Sequence, residues 1–250
     1  MRNLFKQNFI TKILAEALLQ VLILIPFAIL FLKDKTKVNF QRLLIFVLCY
    51  VVYQLCLVFP KINSTFDFIT SSWNWDGKVY GIIFGILSYF TFNKYFIEND
   101  FFTFRQNKDG FKKAKIGAIL VVLISTVIWF LLGNQKFDLE TLAFQISVPG
   151  IDEEIMFRGI LLGLLSTALK DNFSIFGNPS VLITAVLFGF MHALTLDKGF
   201  SIDFDAVYFI QTGFAGYIWG WITIKSRSIL LAILSHNFSN FFGTLSTMIK

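Results

Sequence analysis

Three consecutive acids and an arginine interrupt an apolar run at PGIDEEIMFRGILLGLL (149–165). Unpaired charge is costly in lipid and in a protein core alike, so Asp152, Glu153, Glu154 and Arg158 need a reason to be there. Glu154 and Arg158 stand four apart with the acid on the N-terminal side, the favourable order for an ion pair along a helix. Glu153 points about 100° away from Glu154 and is left for other work. Both histidines of the chain also fall in apolar runs, His192 in SVLITAVLFGFMHAL (180–194) and His236 in SILLAILSHNFSNFF (228–242). Asn240 lies one turn past His236 and shares its face.

A carboxylate and an imidazole can together take a proton from water. A second imidazole and an amide can donate to a developing oxyanion. Glu153, His192, His236 and Asn240 therefore suit hydrolysis of an amide without a covalent nucleophile. Glu153, His192 and His236 are also an alternative Zn²⁺ ligand set with an open fourth position, although no local HExxH motif is present. Zinc is not expected to be required. Binding it would occupy all three groups and leave Glu154, which Arg158 needs, as the remaining base. The flanks of both histidines are largely apolar and offer no evident partner to fix either ring.

Each residue also has a plainer reading. Glu154–Arg158 can be a structural ion pair, and either histidine or Asn240 an interhelical hydrogen-bonding group. Phe188 reads as packing, Asp152 as an interfacial or hydrogen-bonded extra, Glu16 as interfacial, and FGF (188–190) and GYIWGW (216–221) as close helix contacts. The joint pattern favours chemistry: a free carboxylate, both histidines and a one-turn Asn fall in three polar-marked runs.

The elements that must position these groups are membrane helices. The chain has 250 residues, 56% hydrophobic and 15% charged, with a mean hydropathy of +0.68; soluble domains carry roughly 25% charged residues. The expected fold is all-α, a polytopic membrane bundle of about eight transmembrane helices, because lipid forces each backbone amide to pair within its own segment. The runs lie near 9–32, 40–59, 79–97, 114–133, 142–169, 179–196, 206–224 and 228–249. The loop 63–78, with Trp73 and Trp75, suits an interface, and the loop 98–113 is polar and basic. The net charge of +6 records scattered loop lysines and argues against nucleic-acid binding. Cys49 and Cys56 are about 10 Å apart along one helix, beyond disulfide reach. No cleavable signal peptide stands out. A shift near residue 140, after which polar groups occupy mid-span positions, divides the chain into 1–140 and 141–250.

Glu153-Glu154-x-x-Phe157-Arg158-Gly159, then Phe188-x-x-x-His192, then His236-x-x-x-Asn240 resemble the three motifs of the CAAX protease and bacteriocin-processing (CPBP, Abi) family, over roughly 141–250. The resemblance implies an eight-helix intramembrane endopeptidase of the glutamate type; the economy of roles above adds the expectation of no cofactor, with Zn²⁺ as the alternative. Glu153 and His192 would activate water. His236 and Asn240 would stabilise the oxyanion. Glu154 and Arg158 would orient and balance the charge, with Phe188 supporting the site. The first four spans would form a variable N-terminal part. The implied partners are membrane lipid and a membrane-associated peptide, either a prenylated protein or a secreted-peptide precursor; the compact chain, without obvious eukaryotic sorting signals, is expected in a bacterial cell membrane. The competing reading is a non-catalytic bacteriocin-immunity or signalling scaffold. An ion or proton transporter is disfavoured by the lack of an internal repeat.

Overall fold

The computed structural model describes residues 2–96, 99–172, 177–197 and 199–250, with side chains from residue 8 onward. It is a helical bundle, and each of the eight apolar runs folds as a helix or as a series of short helices. In the first, α1 (Arg2–Leu22) gives way to α2 (Ile25–Leu30) just before Pro26, which cannot donate to the preceding turn. The second is α3 (Lys37–Ile62), and the third is α4 (Trp75–Phe92). The fourth is α5 (Lys108–Leu132), which begins six residues earlier than expected and takes over part of the polar loop. Asn8–Leu30, Lys37–Ile62 and Lys108–Leu132 are each long and apolar enough to cross a membrane. Residues 97 and 98, at the end of the expected third span and the start of that loop, lie outside the described residues.

The fifth run is not one helix. It comprises α6 (Leu139–Ile146), α7 (Val148–Glu154), a π-helical segment (Ile155–Leu161) and α8 (Leu162–Ala168). Asp138 caps α6 by accepting from the backbone N–H groups of Glu140 and Thr141. Hydrogen bonds from the Thr141 side chain and backbone hold its carboxyl below the usual carboxylate range. Pro149 sits in the first turn of α7, where its missing N–H would have no intrahelical partner anyway. The π segment begins directly after the three acids and contains Arg158, the kind of irregularity that marks many functional helices. Every residue from Asp152 to Leu169 is buried, so this broken run is the axis of the bundle.

The sixth run becomes α9 (Pro179–Ala193), capped by the Asn178 side chain. It ends three residues earlier than expected. Leu194–Leu196 forms strand β1, which pairs antiparallel with β2 (Ile202–Phe204) in the register Leu194↔Phe204. Asp197 Oδ1 accepts from Gly199 N at 2.7 Å and Ser201 N at 2.9 Å and so tightens the hairpin turn. α10 (Ala206–Ser226) and α11 (Leu230–Met248) complete the chain, with α10 packed along α9 and α11 along α5.

α1 is tied to the hairpin. Glu16, expected at an interface, accepts from Leu196 N at 2.7 Å, and Gln20 donates to Leu194 O at 2.8 Å. Trp75 and Lys78, read as loop residues, belong to the first turn of α4. Trp73 stacks on Phe144 of α6 with ring centroids 4.7 Å apart. Both cysteines are free.

Candidate active site

Local geometry in α7 sets the direction of each acid. Glu154 and Arg158 are fully buried, with Arg158 Nε 3.1 Å from Glu154 Oε2, the i,i+4 pair the spacing predicts. Arg158 also donates to Gly216 O at 3.1 Å, and its guanidinium lies over the Phe188 ring at 4.9 Å. The other oxygen of Glu154 is 2.8 Å from His236 Nδ1. One carboxylate thus joins the arginine of its own helix to the histidine of α11. On its flank His236 is stacked on Trp219 of α10, with ring centroids 3.8 Å apart and planes 11° apart.

His192 reaches the same point from the last turn of α9. Its Nδ1 is 2.8 Å from Phe188 O. A carbonyl only accepts, so this contact assigns the proton to Nδ1 and leaves Nε2 with a lone pair. Glu153 stands between the two rings. Its Oε2 is 3.7 Å from His236 Nε2 and 4.0 Å from His192 Nε2. These separations exceed a direct hydrogen bond, and a single small molecule could bridge them. Phe188 lies under the cluster, 4.5 Å from the His192 ring and 5.0 Å from Phe157.

The structure therefore brings together Glu153, Glu154, Arg158, Phe188, His192 and His236. Asn240 follows His236 by one turn on α11; it is half-buried, and its side chain makes no hydrogen bond with the described residues. The neighbouring Asn237 is the more constrained amide. It accepts from Gly150 N at 2.8 Å and donates to Ser147 O at 2.8 Å, which pins α11 to the break before α7. A Cβ at Gly150 would collide with this side chain.

Two expectations are corrected here. Glu153 is not free, because Lys78 Nζ donates to its Oε1 at 2.7 Å and to Asp152 Oδ2 at 2.9 Å. The Tyr53 hydroxyl also donates to Asp152 Oδ2, at 2.7 Å. The imidazoles, in turn, do not lack partners: a main-chain carbonyl fixes one and a carboxylate the other, the kind of support that also orients metal-bound histidines. Both rings therefore have the partners that a metal site would need. Among the described residues, however, no group of three or more His, Cys, Asp or Glu is arranged to hold a metal ion. The Lys78 ammonium on Glu153 would also face a dication across one carboxylate and repel it.

Sequence reading missed Lys78, Tyr53, Trp219 and Asn237. Only Trp219 and Asn237 lie close to a motif. Lys78 and Tyr53 bond to residues 74 and 99 positions away, too far for any local spacing to signal.

Residues 135–242 match the family model Rce1-like, described as type II CAAX prenyl endopeptidase Rce1-like. The matched segment is less than half of the chain, contains all three motifs and excludes Lys78 and Tyr53. It bears out the resemblance to the CAAX protease and bacteriocin-processing family. With the apolar helices, it supports an integral membrane protein of the CAAX-protease kind. No curated protein and no solved structure matches the chain.

Proposed function

We propose that this chain, whose residues 135–242 belong to the Rce1-like family, is an intramembrane endopeptidase in which Glu153 activates the attacking water. The observation that carries this reading is the convergence of Glu153 Oε2 with Nε2 of His236 at 3.7 Å and of His192 at 4.0 Å. A water bridging Glu153 and His192 would lose its proton to them as its oxygen bonds to the scissile carbonyl carbon. The C–N bond then breaks, and the same proton passes to the leaving amine. His236 would donate to the oxyanion from Nε2 while its Nδ1–H donates to Glu154 Oε1, so that both ring nitrogens act as donors. Asn240, with no other bond to make, would supply the second donor. Arg158 neutralises Glu154 and holds it between the two helices.

The reading needs no metal. A lysine already occupies one oxygen of Glu153, and the carboxylate–imidazole pair supplies the proton transfer for which zinc would otherwise be used. The substrate class is a membrane-anchored peptide, prenylated or otherwise held at the lipid surface. The test is cleavage of a prenylated peptide by protein reconstituted in liposomes, followed by mass spectrometry of the products. Parent protein cleaves it at one internal bond, and folded Glu153→Gln does not. Equal cleavage by both would remove Glu153 from the chemistry.

A further inference from the structure

A lysine ammonium is strongly hydrated, and it leaves water readily only when carboxylates replace that hydration. Lys78 is in that situation. It stands in the first turn of α4 with its side chain 12% exposed, and it bonds Asp152 and Glu153 together. α4 approaches this closely because position 81 is glycine; a Cβ there would run into the Asp152 carboxylate. An element outside the matched segment is thus fitted to deliver a cation onto the proposed base.

A purely structural pin would need only Asp152, which is wholly buried, faces α4 and already accepts from Tyr53. The second bond goes further, because it determines which oxygen of Glu153 is engaged. The terminal torsion of a glutamate is broad, so an untethered carboxylate sweeps a wide range of angles. With Oε1 held by Lys78 at 2.7 Å, Oε2 is confined toward the two imidazole Nε2 atoms. We propose that Lys78 is a positioning residue, whose ammonium clamps Glu153 Oε1 against Asp152 so that Oε2 stays directed at His192 and His236. α4 is then part of the working site and not merely its support. The proposal rests on the reading of Glu153 as the water-activating base.

Lys78→Met keeps most of the unbranched stem and removes the charge. It is assayed beside parent and Glu153→Gln, in liposomes, on one prenylated peptide. Its kcat falls about 10²-fold, the scale of a misplaced catalytic group, while KM stays within about threefold, because the clamp acts on the base and not on substrate binding. Lys78→Cys is equally slow, and alkylation with 2-bromoethylamine rebuilds a lysine-length amine and restores most of kcat; parent treated the same way is the control. If Lys78→Met does not fold, Lys78→Met/Asp152→Asn, which also removes the buried partner charge, is assayed in its place and shows the same loss of kcat. Folded Lys78→Met turning over at or above the parental kcat, with Glu153→Gln inactive, overturns the clamp and leaves the Glu153 reading intact. A folded, alkylated Lys78→Cys that stays as slow as before alkylation does the same. Glu153→Gln cleaving like parent overturns that reading and the clamp with it.

Discussion

The acidic triplet is held from two sides of different origin. On one side, Glu154 is matched by Arg158 from its own helix and by His236 from α11, all within the segment that carries the motifs. On the other, Asp152 and Glu153 are matched by Lys78 of α4 and Tyr53 of α3, which lie outside it. The first set combines a local spacing with a recurring motif. The second exists only once the chain has folded. The physical demand is the same on both sides, since a buried carboxylate needs a cation or several donors. A protein can meet that demand from a motif or from a helix that carries none, and only the first kind can be read in advance.

The largest expected effect lies at the meeting point of the two sides. Glu153→Gln keeps shape and much of the hydrogen bonding but removes the proposed base, and kcat is expected to fall about 10²–10⁴-fold with the fold intact. Steady-state rates on folded, reconstituted protein check this, and a parental kcat would detach the site from catalysis.

Removing the motif-side cation comes next. Arg158→Ala leaves Glu154 buried with His236 alone, a cost of about 3–5 kcal/mol. The variant accumulates poorly and melts lower in detergent. A melting curve superimposable on the parent's would mean that the guanidinium is dispensable and the two sides are not alike.

His236→Ala should cost about 10²–10³ in kcat, the scale of one lost oxyanion donor, with little change in KM. If KM alone rises, the ring belongs to ground-state binding, and its bond to Glu154 serves another end.

Tyr53→Phe on the α3 side is milder. Asp152 keeps Lys78, and one hydrogen bond to a charged group is lost, worth about 1.5–3 kcal/mol. Thermal stability falls accordingly, and kcat changes by less than about tenfold, because Glu153 keeps its own partner. A collapse of kcat as large as that of Glu153→Gln would show that Asp152 and Glu153 act as one unit.

The same contrast explains how much of the molecule was legible. The eight apolar runs became the helical runs of the structure, since length and hydropathy are local properties. The breaks inside the fifth run were harder to see, although Pro149 and Gly150 marked the place. A π segment leaves no composition signal, because its cause is tertiary. The hairpin after Ala193 was hidden because Leu194-Thr-Leu extends an apolar run, and its partner Ile202-Asp-Phe lies past a turn. The three motifs pointed to the cluster of Glu153, Glu154, His192 and His236. They said nothing of Lys78, which in sequence looks like any lysine at the mouth of a membrane helix.

The central claim is that a lysine-held carboxylate, and not a metal ion, activates the water. The direct measurement is the cleavage rate of purified protein after exhaustive chelation, with elemental analysis of the same sample. The account predicts an unchanged kcat with well under one zinc ion per chain. Loss of cleavage on chelation, reversed by stoichiometric zinc, would contradict it and give Glu153, His192 and His236 to the metal.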